Sequence, residues 1–239
     1  MSTREQMLER VRNALGRTSD QPRTPMAPFD PSGVMPELRP EDYLAKFETE
    51  WEKVGGIAHH AATVEELRSV LQKVLSKWST PGVVMSRAPL LAELHVADQL
   101  TAAGIAVMSW GSDPNGDKSP QLAAFQNASF QANVGITGVE YVLAETGTLV
   151  LSSATEGAMM TSLAPPVHVA LYRRSQLVGS LDDLLAKLPI STTPSQPAGG
   201  RSVVLITGTS RTADIEQILI RGVHGPGEAH AILVGDSCR

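Results

Sequence analysis

Three residues of this 239-residue chain stand where side chains do chemistry: Arg211, His224 and Glu145. Arg211 follows Thr207-Gly208-Thr209-Ser210, a turn of small and hydroxylated residues that closes the apolar run Val203-Val204-Leu205-Ile206. A helical pattern opens at residues 211–214 and stops at Arg221-Gly222. Strand, glycine turn and helix N-terminus in that order predict an anion site, because unpaired backbone N–H groups and the positive dipole end converge at the turn. Thr209, Ser210, Arg211 and Thr212 would supply hydroxyl and guanidinium donors to a small carboxylate or phosphate. The plainer reading makes Ser210 an N-cap and pairs Arg211 with Asp214 or Glu216. Neither a Walker loop nor a dinucleotide fingerprint fits, since the turn lacks Lys and the second and third glycines.

His224 lies in a second turn, Gly222-Val223-His224-Gly225-Pro226-Gly227, where little side-chain bulk hides it. An imidazole titrating near neutrality suits acid or base work, and turn capping is the competing role. Strands before and after these two turns would bring both to one sheet edge. Glu145, with Thr146 and Gly147, ends a strand and could accept a proton or orient a hydroxyl, against the plain reading of a solvated turn acid. Glu156 and Asp214 rank lower, and Asp214 in a first helical turn is explained by the dipole alone. His59-His60 are adjacent, so on a strand they point to opposite faces and share no metal. His168 and His230 read as structural histidines within or beside strands.

The elements that must hold these groups are legible from periodicity. Residues 3–16 place Met7, Leu8, Val11 and Leu15 at helical spacing, and residues 17–40 hold six prolines, which no helix or central strand tolerates. We expect a helix on a Pro-rich linker over residues 1–40 and an α/β domain over residues 41–239. So short a helix is marginal alone in water. Its apolar face is expected to dock on the body or on a neighbouring subunit, giving a homo-oligomer, with a frayed tail as the alternative. Tyr43, Leu44, Phe47, Trp51 and Val54 predict a helix ended by Gly55-Gly56. Thr63-Val64-Glu65-Glu66 is a capping box for the next. Residues 82–85, a helix over 89–103 and residues 105–108 form a βαβ unit, followed by a polar connection over 111–120. Residues 139–144 and 148–151 flank Glu145-Thr146-Gly147 as a hairpin, with a short helix before Glu145 as the alternative. A strand at 167–171, a Ser180-capped helix to Leu188 and a linker at 190–200 complete the order. The fold class is α/β with a mainly parallel sheet flanked by helices.

Composition narrows the partners. A net charge of −5 and 4% aromatic content exclude a stacking or counterion-release surface for nucleic acid. With Cys238 the single cysteine, no zinc or iron–sulfur cluster can be ligated by cysteines of this chain alone, and no metal or cofactor is expected. No apolar stretch reaches the roughly 18 residues of a membrane span and no leader is evident, which predicts a cytoplasmic protein.

The segments VGITGVEYVLAETGTLVL, APPVHVALYRRSQLVGSLDDLL and TGTSRTADIEQILIRGVHGPGEAHAILV together resemble the lactate utilization protein C family, the LUD domain. The spacing of AETG, SRTADIE and GVHGP is specific, whereas each motif alone is not. The resemblance implies a fold similar to the sugar-phosphate isomerase, glucosamine-phosphate deaminase and CoA-transferase superfamily. It also implies a bacterial three-protein system that oxidises L-lactate to pyruvate, whose companion proteins carry the iron–sulfur motifs. Glu145, Thr146, Gly147, Ser210, Arg211, Thr212, Asp214, Glu216, His224 and Gly225 fall on the family's motifs. The expected function is a small-anion-binding component of that system without its own iron–sulfur centre. The alternative is a stand-alone enzyme acting on a phosphorylated sugar or acyl/CoA substrate, with Glu145 or His224 as acid/base.

Overall fold

A computed structural model describes residues 3–14, 38–79, 82–111, 118–188, 202–212 and 220–238. Contacts divide the chain into Met1–Glu37 and Leu38–Arg239. The first unit contains α1 (Thr3–Ala14), which has no buried residue and exposes Met7 and Val11. The expected Pro-rich linker falls almost wholly on residues 15–37, outside the described residues.

In the second unit six short strands pair in parallel: β1 (Ile57–Ala61), β2 (Gly82–Met85), β3 (Ala106–Ser109), β4 (Val134–Thr137), β7 (Val167–Tyr172) and β12 (Glu228–Val234). Their order across the sheet is β1-β12-β7-β4-β2-β3. The inner strands are buried on both faces, which accounts for aliphatic runs such as VHVALY rather than strict alternation. One face packs on α3 (Val64–Leu75), α4 (Pro89–Glu93) and α5 (Val96–Ala102), through Leu67, Leu71, Leu91, Leu94 and Leu100 against Val134, Val169 and Ile232. Thr63 caps α3 by accepting from Glu66 N, as the sequence pattern predicts. At the other end of the sheet α6 (Lys118–Gln131) buries Phe125 with Val84.

The opposite face is covered by α2 (Tyr43–Lys53) and a second sheet. That sheet runs β8-β5-β6-β9, from β8 (Leu177–Val178), β5 (Tyr141–Leu143), β6 (Thr148–Ser152) and β9 (Val203–Ile206). Phe47 and Trp51 of α2 meet Leu149 and Leu151 of β6 and Tyr172 of β7 in one apolar layer. The far side, Leu143, Val150 and Val178, is closed by Leu184 of α9 (Leu181–Lys187). Between β6 and β7 lie the short helices α7 (Ser153–Glu156) and α8 (Met160–Leu163). No helix among the described residues is long and apolar enough to cross a membrane.

The α/β class, the parallel sheet and the 141–152 hairpin match expectation, and three local expectations do not. The single helix over 89–103 is two, because His95 takes a left-handed φ of 49°. That break re-aims the chain so that Leu91 and Leu94 before it and Val96 and Leu100 after it all reach the core. The polar connection over 111–120 gives way to helix at Lys118. Arg211 does not open a helix: Arg211–Thr212 form β10, antiparallel to β11 (Ile220–Arg221). Residues 213–219, with Asp214 and Glu216, lie outside the described residues.

Candidate functional site

The candidate residues gather around the C-terminal end of α2. That helix stops in a Schellman arrangement, with Gly56 N donating to Trp51 O, Gly55 N to Glu52 O, and Gly55 at φ 83°. Two further glycines press on it. A side-chain carbon at Gly147 (φ 64°) would lie 2.3 Å from Trp51 N, and one at Gly208 (φ 81°) 2.4 Å from Val54 O. Both turns therefore need glycine for conformation and for clearance.

Because β9 runs antiparallel to β6, with Ile206 opposite Leu149, the turn after β9 falls beside the turn before β6. Hydroxyls link them: Thr146 Oγ1 lies 2.7 Å from Thr148 Oγ1, which lies 2.8 Å from Thr207 Oγ1. The upstream motif with Thr146 and Gly147 and the downstream turn with Gly208 are thus neighbours in space.

The two C-terminal turns also meet, although β9 and β12 belong to different sheets. Ser210 N donates to Pro226 O at 2.9 Å, and Gly222 N donates to Ser210 O at 3.0 Å. A cleft of about 340 Å³ lies between them, with Thr207, Gly208, Thr209, Ser210, His224 and Gly225 on its polar side and Met159, Leu163 and Leu205 among its apolar walls. The cleft can hold a small molecule against hydroxyls and one imidazole. The helix-dipole argument does not apply here, since Ser210 is followed by a strand and its N–H is already spent on Pro226.

Arg211 does not line that cleft. Its guanidinium lies over Gly55, where a side-chain carbon would come within 2.7 Å of Arg211 Nη2, 3.3 Å of Thr209 Oγ1 and 3.6 Å of Arg221 Nη1. Thr212 continues β10 opposite Ile220. Arg221 is the residue that sequence reasoning passed over. Its place before Gly222 suggests no more than a helix end, and only the antiparallel register, invisible in the sequence, sets it across from Arg211.

Glu145 stands apart from the cleft. Its Oε1 accepts from Leu181 N at 2.8 Å and its own N–H donates to Gly179 O, so it helps cap α9. Ser180 and Asp183 complete the reciprocal capping box there.

Buried titratable groups elsewhere are tied into the fold. Glu156 is 1% exposed, and its carboxylate accepts from Ser86 Oγ at 2.6 Å and Gly138 N at 3.0 Å. Burial raises its pKa above the usual carboxylate range. It fastens the C-terminal ends of β2 and β4, where the strand order reverses. His168 Nε2 meets Thr137 Oγ1 at 2.8 Å, and burial lowers its pKa to about 3. His59 Nε2 lies 2.8 Å from His230 Nδ1, and desolvation together with His230 lowers the His59 pKa to about 4. His60 instead faces Glu48, on the other side of β1. Among the described residues no three His, Cys, Asp or Glu side chains are placed to hold a metal ion.

The model of the LUD domain matches residues 44–234. Lactate utilization protein C of Bacillus subtilis (strain 168) is 33% identical over 71% of this chain and 69% of its own length. The protein of the same name from Bacillus pumilus (strain SAFR-032) is 26% identical over 99% of this chain and 98% of its own. A crystal structure of a DUF162 family protein from Deinococcus radiodurans superposes with a TM-score of 0.56 at 22% identity, covering 83% of this chain and all of that one, and so shares the fold. The matched span takes in both turns, the hairpin and the whole parallel sheet. The chain belongs to the LUD domain family.

Proposed function

We propose that this chain is a component of a bacterial L-lactate utilization system, in which lactate is oxidised to pyruvate, and that it binds a small carboxylate or phosphate at its joined C-terminal turns. In this reading it works in the cytoplasm beside iron–sulfur companion proteins and supplies no such centre itself. One observation carries the anion-binding part: the Ser210–Pro226 and Gly222–Ser210 hydrogen bonds draw two sequence-separated turns around one cleft lined by several hydroxyls and His224. The pathway assignment draws on relatives named lactate utilization protein C. Glu145, already engaged at α9, is the less apt acid/base, which weighs against an independent enzyme using it. His224, lining the cleft, orients the bound anion or exchanges a proton with it.

The test is reconstitution. Lactate-dependent electron transfer by the two companion proteins should rise when this chain is added in stoichiometric amount. A rate that is indifferent to its presence removes the assignment.

A further inference from the structure

The side of the turn that faces α2 carries an arrangement that the cleft does not explain. β10 and β11 pair so that Arg211 stands directly opposite Arg221. Like charges in that cross-strand position oppose ribbon formation. Both guanidiniums nevertheless converge on the same point above Gly55, and among the described residues no carboxylate forms an ion pair with either. The C-terminal end of α2 beneath them offers only a fractional negative charge, about half of one unit. Thr209 adds a second, independent sign. It is only 7% exposed, and its hydroxyl, 3.3 Å from that same point, has no hydrogen-bond partner among the described residues. A buried hydroxyl left unpaired costs free energy that a ligand oxygen would recover. Gly55 completes the cradle, since a side-chain carbon there would come within 2.7 to 3.6 Å of all three groups.

We propose that Arg211, Arg221 and the Thr209 hydroxyl clamp a compact doubly charged oxyanion, a phosphate group or a dicarboxylate, in the space over Gly55. Two planar guanidinium forks match two oxygens each, and the hydroxyl takes a further one. A monocarboxylate such as lactate offers one charge and fills half of this donor set. The inference rests on the small-anion reading for the chemistry of the ligand and goes beyond it: it adds an anion position on the α2 side of the turn, apart from the cleft lined by His224.

Calorimetric titration of the full chain with inorganic phosphate, malonate and L-lactate tests it. Phosphate or malonate should bind about tenfold or more tightly than lactate, and Arg221→Gln and Arg211→Gln should each weaken the dianion by about tenfold or more. Thermal unfolding supplies the second readout. In buffer free of multivalent anions Arg221→Gln should unfold at the same temperature as the unmodified chain or higher, because a like-charge contact is gone. Phosphate should then raise the midpoint of the unmodified chain and not of the variant. An arginine with a purely structural role would give the reverse, a lower midpoint and unchanged anion affinity, and would overturn the clamp. If lactate binds and neither arginine matters, the clamp falls while the small-anion reading stands. If none of the three anions binds the unmodified chain, both fall.

Discussion

Glu145 shows how a side chain with the right chemistry can be spent on structure. In the sequence it is a carboxylate at a strand end, next to hydroxyls and a glycine. In the fold it accepts from Leu181 N at the start of α9, a contact 36 residues away that no local pattern announces. Removing it should therefore cost stability and leave the ligand alone. Glu145→Ala is expected to lower unfolding free energy by about 1 kcal/mol, the usual value of a helix cap, with unchanged anion affinity. A urea titration paired with calorimetry checks both, and a loss of binding at unchanged stability would return Glu145 to the site. That His224 and Ser210 lie in turns was legible because glycine and hydroxyl residues mark turns locally. Thr209 could be named as a donor from its residue type, but the burial that leaves its hydroxyl unpaired and the register that sets Arg221 across from Arg211 could not, because only the fold defines them.

Among elements, α2 does more than bury Phe47 and Trp51. Its end is the anvil on which two turns are shaped, Gly147 against Trp51 N and Gly208 against Val54 O. The loss from substituting a glycine there has two parts, a left-handed backbone and a steric collision. Gly104, at φ 76° with nothing within 4 Å of a side-chain carbon, isolates the first part. Gly104→Ala should cost about 1 kcal/mol and Gly147→Ala about 2–4 kcal/mol, measured by chemical denaturation. Equal losses would mean that the contact with α2 yields freely. Elements with strong periodicity and caps, α2, α3 and α9, could be read from the sequence because their signals are local. The residues around Arg211 could not. Their turn chemistry is equally compatible with a helix start, and the choice fell to the hydrogen bonds of Ser210 with Pro226 and Gly222.

For the molecule as a whole, burial of histidines sets the acid limit. His168 has a folded pKa of about 3 against about 6.5 when exposed, and His59 is lowered to about 4. Between those values and 6.5 the unfolded chain binds protons that the folded chain refuses, so stability is full above 6.5 and is lost as pH falls. Glu156, whose pKa is raised, acts in the opposite sense, its burial penalty easing as it takes up a proton. The two histidines should prevail. The unfolding midpoint is expected to drop steadily from pH 6.5 to pH 4, with His168→Gln removing about one proton from the slope. A flat profile over that range would mean that His168 is reached by water in the folded state. The layered α/β architecture was legible because alternating helices and aliphatic strands admit few arrangements. The second sheet was half legible, as the hairpin β5–β6. Its outer strands β8 and β9 pair with partners 35 or more residues away through segments with no pairing signal of their own.

The strand order carries a consequence for how the protein is made. β1 touches the rest of its sheet only through β12, with His59 and His230 171 residues apart in the chain. Until residues 228–234 arrive, β1 has no neighbour and β7 has an open edge, each presenting unpaired N–H and C=O groups. Closing a loop of that length comes late and slowly, because chain entropy is lost before the non-local contacts repay it. A synthesis pause before β12 would thus expose two open strand edges at once, and self-association rather than simple unfolding is the failure this topology invites.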